Sequence, residues 1–132
     1  AQQARAMIDF RFLTARDYKD IKKEVAAITE TVHTPGTRSV LEFLSERPPM
    51  PQTEGNRNLY DRMRKVAQSL EMPITDELRQ GVSDANIAAD EGVPALDGLG
   101  PVGAKDHSED EYIITQSLFD RAILFGSFLS DY

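Results

Sequence analysis

Apolar and polar positions alternate where the chain begins: Ala4, Ala6, Ile8, Phe10 and Phe12 share one side, and Arg5, Asp9 and Arg11 the other. A period of two predicts a strand with one buried face over Ala4 to Phe12. The period then lengthens. Thr14 and Asp17 have the spacing of a capping pair that satisfies the free amides of a first helical turn. Ile21, Val25, Ile28 and Val32 follow on one helical stripe, opposite Lys19, Lys22, Lys23 and Glu30, and Pro35-Gly36 stops the helix. Val40 to Leu44 fits a second strand, so the opening segment reads strand, helix, strand, an order suited to a crossover connection.

From Arg47 to Gly55 the composition shifts to Pro48, Pro49, Pro51, Gln52, Thr53 and Gly55, the clearest boundary in the chain. Leu59, Met63, Val66 and Leu70 then mark a second helix, ended by Pro73. Ser83 is placed to cap a short helix from Asp84 to Glu91, with Gly92 as its stop, and Pro94 to Leu96 fits a short strand. The glycines and charges from Gly98 to Glu111 predict a loop, and Leu118, Ala122, Phe125 and Leu129 predict the buried stripe of a last helix.

Charge narrows the function classes. The 132 residues carry 15 Lys and Arg against 22 Asp and Glu, a net charge of −7. Nucleic-acid binding needs clustered cations, and here the basic stretches Lys19 to Lys23 and Arg57 to Lys65 are interleaved with acids or apolar residues. There is no cysteine, which excludes a disulfide framework, a thiolate nucleophile and a Cys-ligated metal, and leaves the redox compartment open. No apolar run approaches the ~20 residues that span a bilayer, and Ala1 to Arg5 do not read as a signal peptide. No nucleic-acid or membrane partner is expected, and the cytoplasm is favoured.

Few segments suggest chemistry. Gly98-Leu99-Gly100-Pro101-Val102-Gly103 spells a dinucleotide fingerprint, but Asp106, Glu109, Asp110 and Glu111 follow where a helix start should present amides to phosphate, so it reads as a turning glycine loop. His107 sits in that loop beside Asp106 and Glu109. It is either a metal ligand with carboxylates on its other ring nitrogen or a solvated side chain. His33 suits a helix C-terminus, and Asp84 the positive end of a helix. Arg11 and Arg47 are candidates for clamping a carboxylate, or for local ion pairs.

Taken together, the run GVSDANIAADEGVPALDGLGPVGAKDHSEDEY, from Gly81 to Tyr112, resembles the C-terminal signature of the zinc metallohydrolase family that includes glutamate carboxypeptidase, acetylornithine deacetylase, succinyl-diaminopimelate desuccinylase and aminoacylase. The matching features are Ser83-Asp84-Ala85, the segment from Pro94 through Gly103, His107 and Glu111-Tyr112. ARAMIDFRF, from Ala4 to Phe12, resembles the strand of the family's inserted lid or dimerisation domain. The resemblance implies an α/β fold: residues 1–51 would be the C-terminal half of a ferredoxin-like lid, and residues 52–132 the C-terminal part of a mixed-sheet catalytic domain.

It further implies that His107 is a ligand of one of two zinc ions. Arg11 and Arg47 would hold a substrate carboxylate, and the turn of Gly81, Val82 and Ser83 would let substrate approach the backbone. Val82 stands where the family commonly has a second glycine. The family's His-x-Asp and Glu-Glu motifs, which supply the other ligands and the general base, are not in these residues, whose only histidines are His33 and His107. The expectation is the C-terminal portion of a zinc-dependent metallopeptidase, carboxypeptidase- or deacylase-like, homodimeric, acting on a small peptide or N-acyl amino acid and inactive as this portion alone. The alternative is a stand-alone dimerisation or structural module without catalysis.

Overall fold

Local capping signals translate directly into helices. The structure, a computed structural model, describes residues 2–131. Helix α1 (Ala15–Glu30) starts at Thr14, whose Oγ1 accepts the Asp17 N–H at 3.1 Å while the Asp17 carboxylate accepts the Thr14 N–H at 3.1 Å. Two orphan donors are thereby satisfied at one helix end. The helix ends at Glu30, so Val32 falls beyond it, and the turn at Pro35-Gly36 comes later, with Gly36 at φ 80°. No residue of α1 is fully buried: Ile21 and Val25 are half-buried and Ile28 is exposed.

The strands expected on either side of α1 do not form. Residues 4–12 and 40–44 lie outside any helix or strand, and Met7, Ile8 and Val40 are exposed. Alternation prepares a face, but a strand also needs a neighbour for its N–H and C=O groups. Among the described residues neither segment has one.

Side chains hold this half together instead. Glu46 is gripped by the Tyr18 hydroxyl and by Lys22 Nζ, which donates to Glu46 Oε1 at 2.8 Å and to the Tyr18 oxygen at 3.1 Å. Lys22 also sits 4.5 Å from the Phe43 ring centroid, and Tyr18 stacks on Phe12 at 4.7 Å. Residues 12, 18, 22, 43 and 46 thus form one clamp that joins α1 to both of its flanks.

Helices α2 (Glu54–Ser69) and α3 (Asp84–Asp90) follow, then strands β1 (Gly103–Ala104) and β2 (Tyr112–Ile113), and helix α4 (Thr115–Ser130). The strands pair antiparallel, Gly103 opposite Ile113 and Ala104 opposite Tyr112. Gly103 has no alternative: a Cβ there would lie 2.3 Å from the Tyr112 carbonyl oxygen. Part of the expected loop is therefore a hairpin, whereas Pro94 to Leu96 is not a strand. No helix begins directly after Gly103, where β1 continues to Ala104 and a turn follows, so the glycine run lacks the helix N-terminus that a dinucleotide site requires. The described residues form helices plus one small sheet, compatible with an α/β class.

The core lies where α2 meets α4. Met63 and Ala67 pack against Leu124 and Phe128, with Leu59, Val66, Leu70 and Leu96 partly buried around them. Full burial of a side chain such as Met63 or Leu124 contributes about 1.5–3 kcal/mol. The face of α4 that does this is not the expected one. Ser117, Leu124 and Phe128 are buried, whereas Leu118, Ala122, Phe125 and Leu129 face outward. Both sides of α4 are apolar, and the anchoring of Ser117 beside β1 chooses between them. Among the described residues no helix is long and apolar enough to cross a membrane.

The clamp carries a pH signature. The hydrogen bond from Lys22, then that from Tyr18, holds the Glu46 carboxyl below the usual carboxylate range, and Glu46 raises the Lys22 ammonium above its usual value. The Glu46 contribution is present above the ordinary carboxylate pKa and is lost as pH falls through the lowered one. The Lys22 contribution is present below the ordinary lysine pKa and is lost as pH rises through the raised one. Proximities between the Phe12, Tyr18 and Phe43 rings and their neighbours, followed by NMR, should therefore persist at neutral pH and fade at acid and strongly alkaline pH. Glu46→Gln should abolish the acid limb; an acid profile identical to wild type would show that the clamp does not form.

Candidate substrate and metal site

The proline-rich segment that reads as the boundary in the chain is pinned by two buried asparagines. Asn56, in the first turn of α2, donates from Nδ2 to the Pro51 carbonyl at 2.7 Å, and its Oδ1 accepts the Ala95 N–H at 2.9 Å. Asn86, in α3, donates from Nδ2 to the Pro48 carbonyl at 2.9 Å, and its Oδ1 accepts the Ser83 N–H at 3.0 Å, completing the capping box of α3. Both side chains are 7% exposed. Residues 48–50 are accordingly half-buried.

This arrangement delivers Arg47 to the start of α3. Its Nη1 lies 2.8 Å from Asp84 Oδ1. From the other end of the chain, Arg11 donates from Nη1 to the Gln80 carbonyl at 3.4 Å, and pairs with Asp9 at 3.3 Å. The two arginines are far apart in sequence, yet both reach the turn at residues 80–84, which holds Gly81, Val82 and Ser83. Gly81 has open space around it, Val82 is exposed, and Ser83 is fixed as the cap, its Oγ accepting the Ala85 N–H at 3.1 Å. The geometry brings two guanidinium groups, each paired with an acid, to an accessible backbone turn.

His107 occupies the tip of the β1–β2 hairpin. The hairpin is tied to α4 through buried Ser117, whose Oγ accepts the Val102 N–H at 2.8 Å and donates to the Ile114 carbonyl at 2.6 Å. The Ile114 N–H returns to the Val102 carbonyl at 2.8 Å. The tip is strained, with Lys105 at φ 63° and His107 at φ 65°, a region in which non-glycine residues are uncommon. Holding such a residue there costs of order 1–3 kcal/mol, and residues so held cluster at functional sites. Glu111 accepts the backbone N–H of His107 at 3.3 Å, a contact to the main chain and not to the ring nitrogen for which Asp106 and Glu109 are the expected partners.

A family model described as peptidase family M20/M25/M40 matches residues 4–131. The chain belongs to that family. No curated protein and no solved structure matches it. Membership of the M20/M25/M40 family makes the chain part of a peptidase family of hydrolases whose members generally bind zinc. Among the described residues, however, no group of three or more histidine and carboxylate side chains is placed to hold a metal ion. Zinc takes four ligands, or three and a water, so His107 with these neighbours does not make up a zinc site.

Sequence reasoning had no signal for Asn56 or Asn86, because the carbonyls they bind lie in other segments. It also explains Asp84 by the helix alone, without the ion pair that Arg47 makes with it. Asn86→Ala leaves the Pro48 carbonyl and the Ser83 N–H without their partner and should lower unfolding stability by about 1–3 kcal/mol. Urea unfolding of the chain measures this. A midpoint equal to wild type would show that the bridge does not hold the proline segment.

Proposed function

We propose that these residues form the C-terminal portion of a zinc-dependent metallopeptidase, carboxypeptidase- or deacylase-like, that hydrolyses an amide bond next to a carboxylate. Residues 1–51 would be the C-terminal half of the lid or dimerisation domain, and residues 52–132 the C-terminal part of the catalytic domain. The observation that carries this reading is that Arg11 bonds Gln80 and Arg47 bonds Asp84, at the two ends of the 80–84 turn, within a family match that reaches from residue 4 to residue 131. Arg11 and Arg47 would hold the carboxylate of a small peptide or N-acyl amino acid, while the Gly81, Val82 and Ser83 backbone receives the substrate. His107 would supply one zinc ligand. The others would come from the family's His-x-Asp and Glu-Glu motifs, which these residues do not contain, so this portion alone would be inactive. The complete polypeptide would act as a homodimer.

A stand-alone dimerisation module is the second reading, favoured by the outward apolar stripe of Leu118, Phe125 and Leu129 on α4.

Zinc titration and hydrolysis of N-acetyl amino acids by the full-length gene product decide between them. His107→Gly is the informative variant, since glycine adopts φ 65° freely and the hairpin should fold. Loss of a group that merely supports a ligand costs ~10–100-fold in metal affinity, so loss of the ligand should exceed about 100-fold, together with hydrolysis. A wild-type protein that takes up no zinc and self-associates would support the module. An unchanged isotherm and rate in the variant would remove His107 from the site.

A further inference from the structure

Asp84 is explained by helix electrostatics only in part. An acid in the first turn of α3 favours the helix, but that does not account for the Arg47 side chain reaching it from another segment. The approach is arranged by Asn86, which holds the neighbouring Pro48 carbonyl. The contact itself is open, with the Asp84 side chain 92% exposed and that of Arg47 42%. One guanidinium nitrogen meets one carboxylate oxygen, whereas a free carboxylate bound to arginine commonly engages two N–H groups in parallel.

From this geometry we infer that Asp84 is an internal competitor for the substrate carboxylate, occupying Arg47 in the empty site and giving it up when a carboxylate binds. The inference rests on the proposed role of Arg47 in holding that carboxylate. An exposed ion pair is weak and screened, so exchange is easy, yet the displaced Asp84 carboxylate stays close to the incoming anion and repels it. Both effects lower affinity. Asp84 would therefore be an affinity-setting group that keeps carboxylate binding loose. The capping box of α3 uses Ser83 and Asn86, so Asp84→Asn retains it.

The test is binding of N-acetylglycine, a probe with a single carboxylate, to the full-length gene product at low salt, followed by NMR. Surface ion pairs of this kind correspond to about a two- to fivefold change in equilibrium, so Asp84→Asn should tighten binding by about two- to fivefold. Arg47→Ala should weaken it, and Asp84→Asn should give no gain in the Arg47→Ala background. If Asp84→Asn leaves binding unchanged or weakens it while Arg47→Ala also weakens it, Asp84 positions Arg47 instead of competing with it, and the inference is overturned. If Arg47→Ala binds the probe as wild type does, the role proposed for Arg47 fails, and the inference with it.

Discussion

Two buried amide side chains hold the candidate site in place. Asn56 ties Pro51 to α2 and Ala95, and Asn86 ties Pro48 to the cap of α3. A buried amide left without partners costs about 1–3 kcal/mol, so each asparagine specifies one arrangement of the backbone around it. The consequence runs outward from these four hydrogen bonds. Residues 48–50 become part of the packed body, Arg47 is aimed at α3, and the turn at residues 80–84 is held where Arg11 also arrives. Polar bridges matter more here than in a domain with a large core, because among the described residues full burial of apolar side chains is limited to Met63, Ala67, Ala89, Leu124 and Phe128.

The surface carries the complement of that small core. Helix α4 is apolar on both sides, one side on α2 and the other outward, and helices of this kind are normally covered all round. Residues 4–12 and 40–44 carry strand-like patterns without strand partners among the described residues. On the proposed reading, in which these residues supply only part of a peptidase fold, the alternation at Ile8 and Phe10 and the stripe at Leu118 and Phe125 would pack against segments not among these residues.

What could be read from the sequence divides along the same line. Thr14 with Asp17, Ser83, and Gly92 at φ 81° mark helix ends through contacts within a few residues, and the structure places them as expected. Strand formation at 4–12 was legible only as a face, because its hydrogen bonds depend on a neighbour. The buried side of α4 was ambiguous because Leu118 and Leu124 are equally apolar; Ser117, a residue that looks like surface, settles it by bonding Val102 and Ile114. The arginines and His107 were visible as residue types, and the resemblance supplied roles for them. That Arg11 reaches Gln80 and Arg47 reaches Asp84 is beyond sequence spacing, since each contact joins segments far apart in the chain.

On the proposed function, the strained tip of the β1–β2 hairpin would present His107 to a zinc ion in the complete polypeptide. Zinc-edge anomalous diffraction from crystals of the full-length gene product is the most direct measurement. A zinc ion about 2.0–2.1 Å from a ring nitrogen of His107 is the predicted result. A zinc ion bound without His107, or none in protein prepared with zinc, would contradict the account.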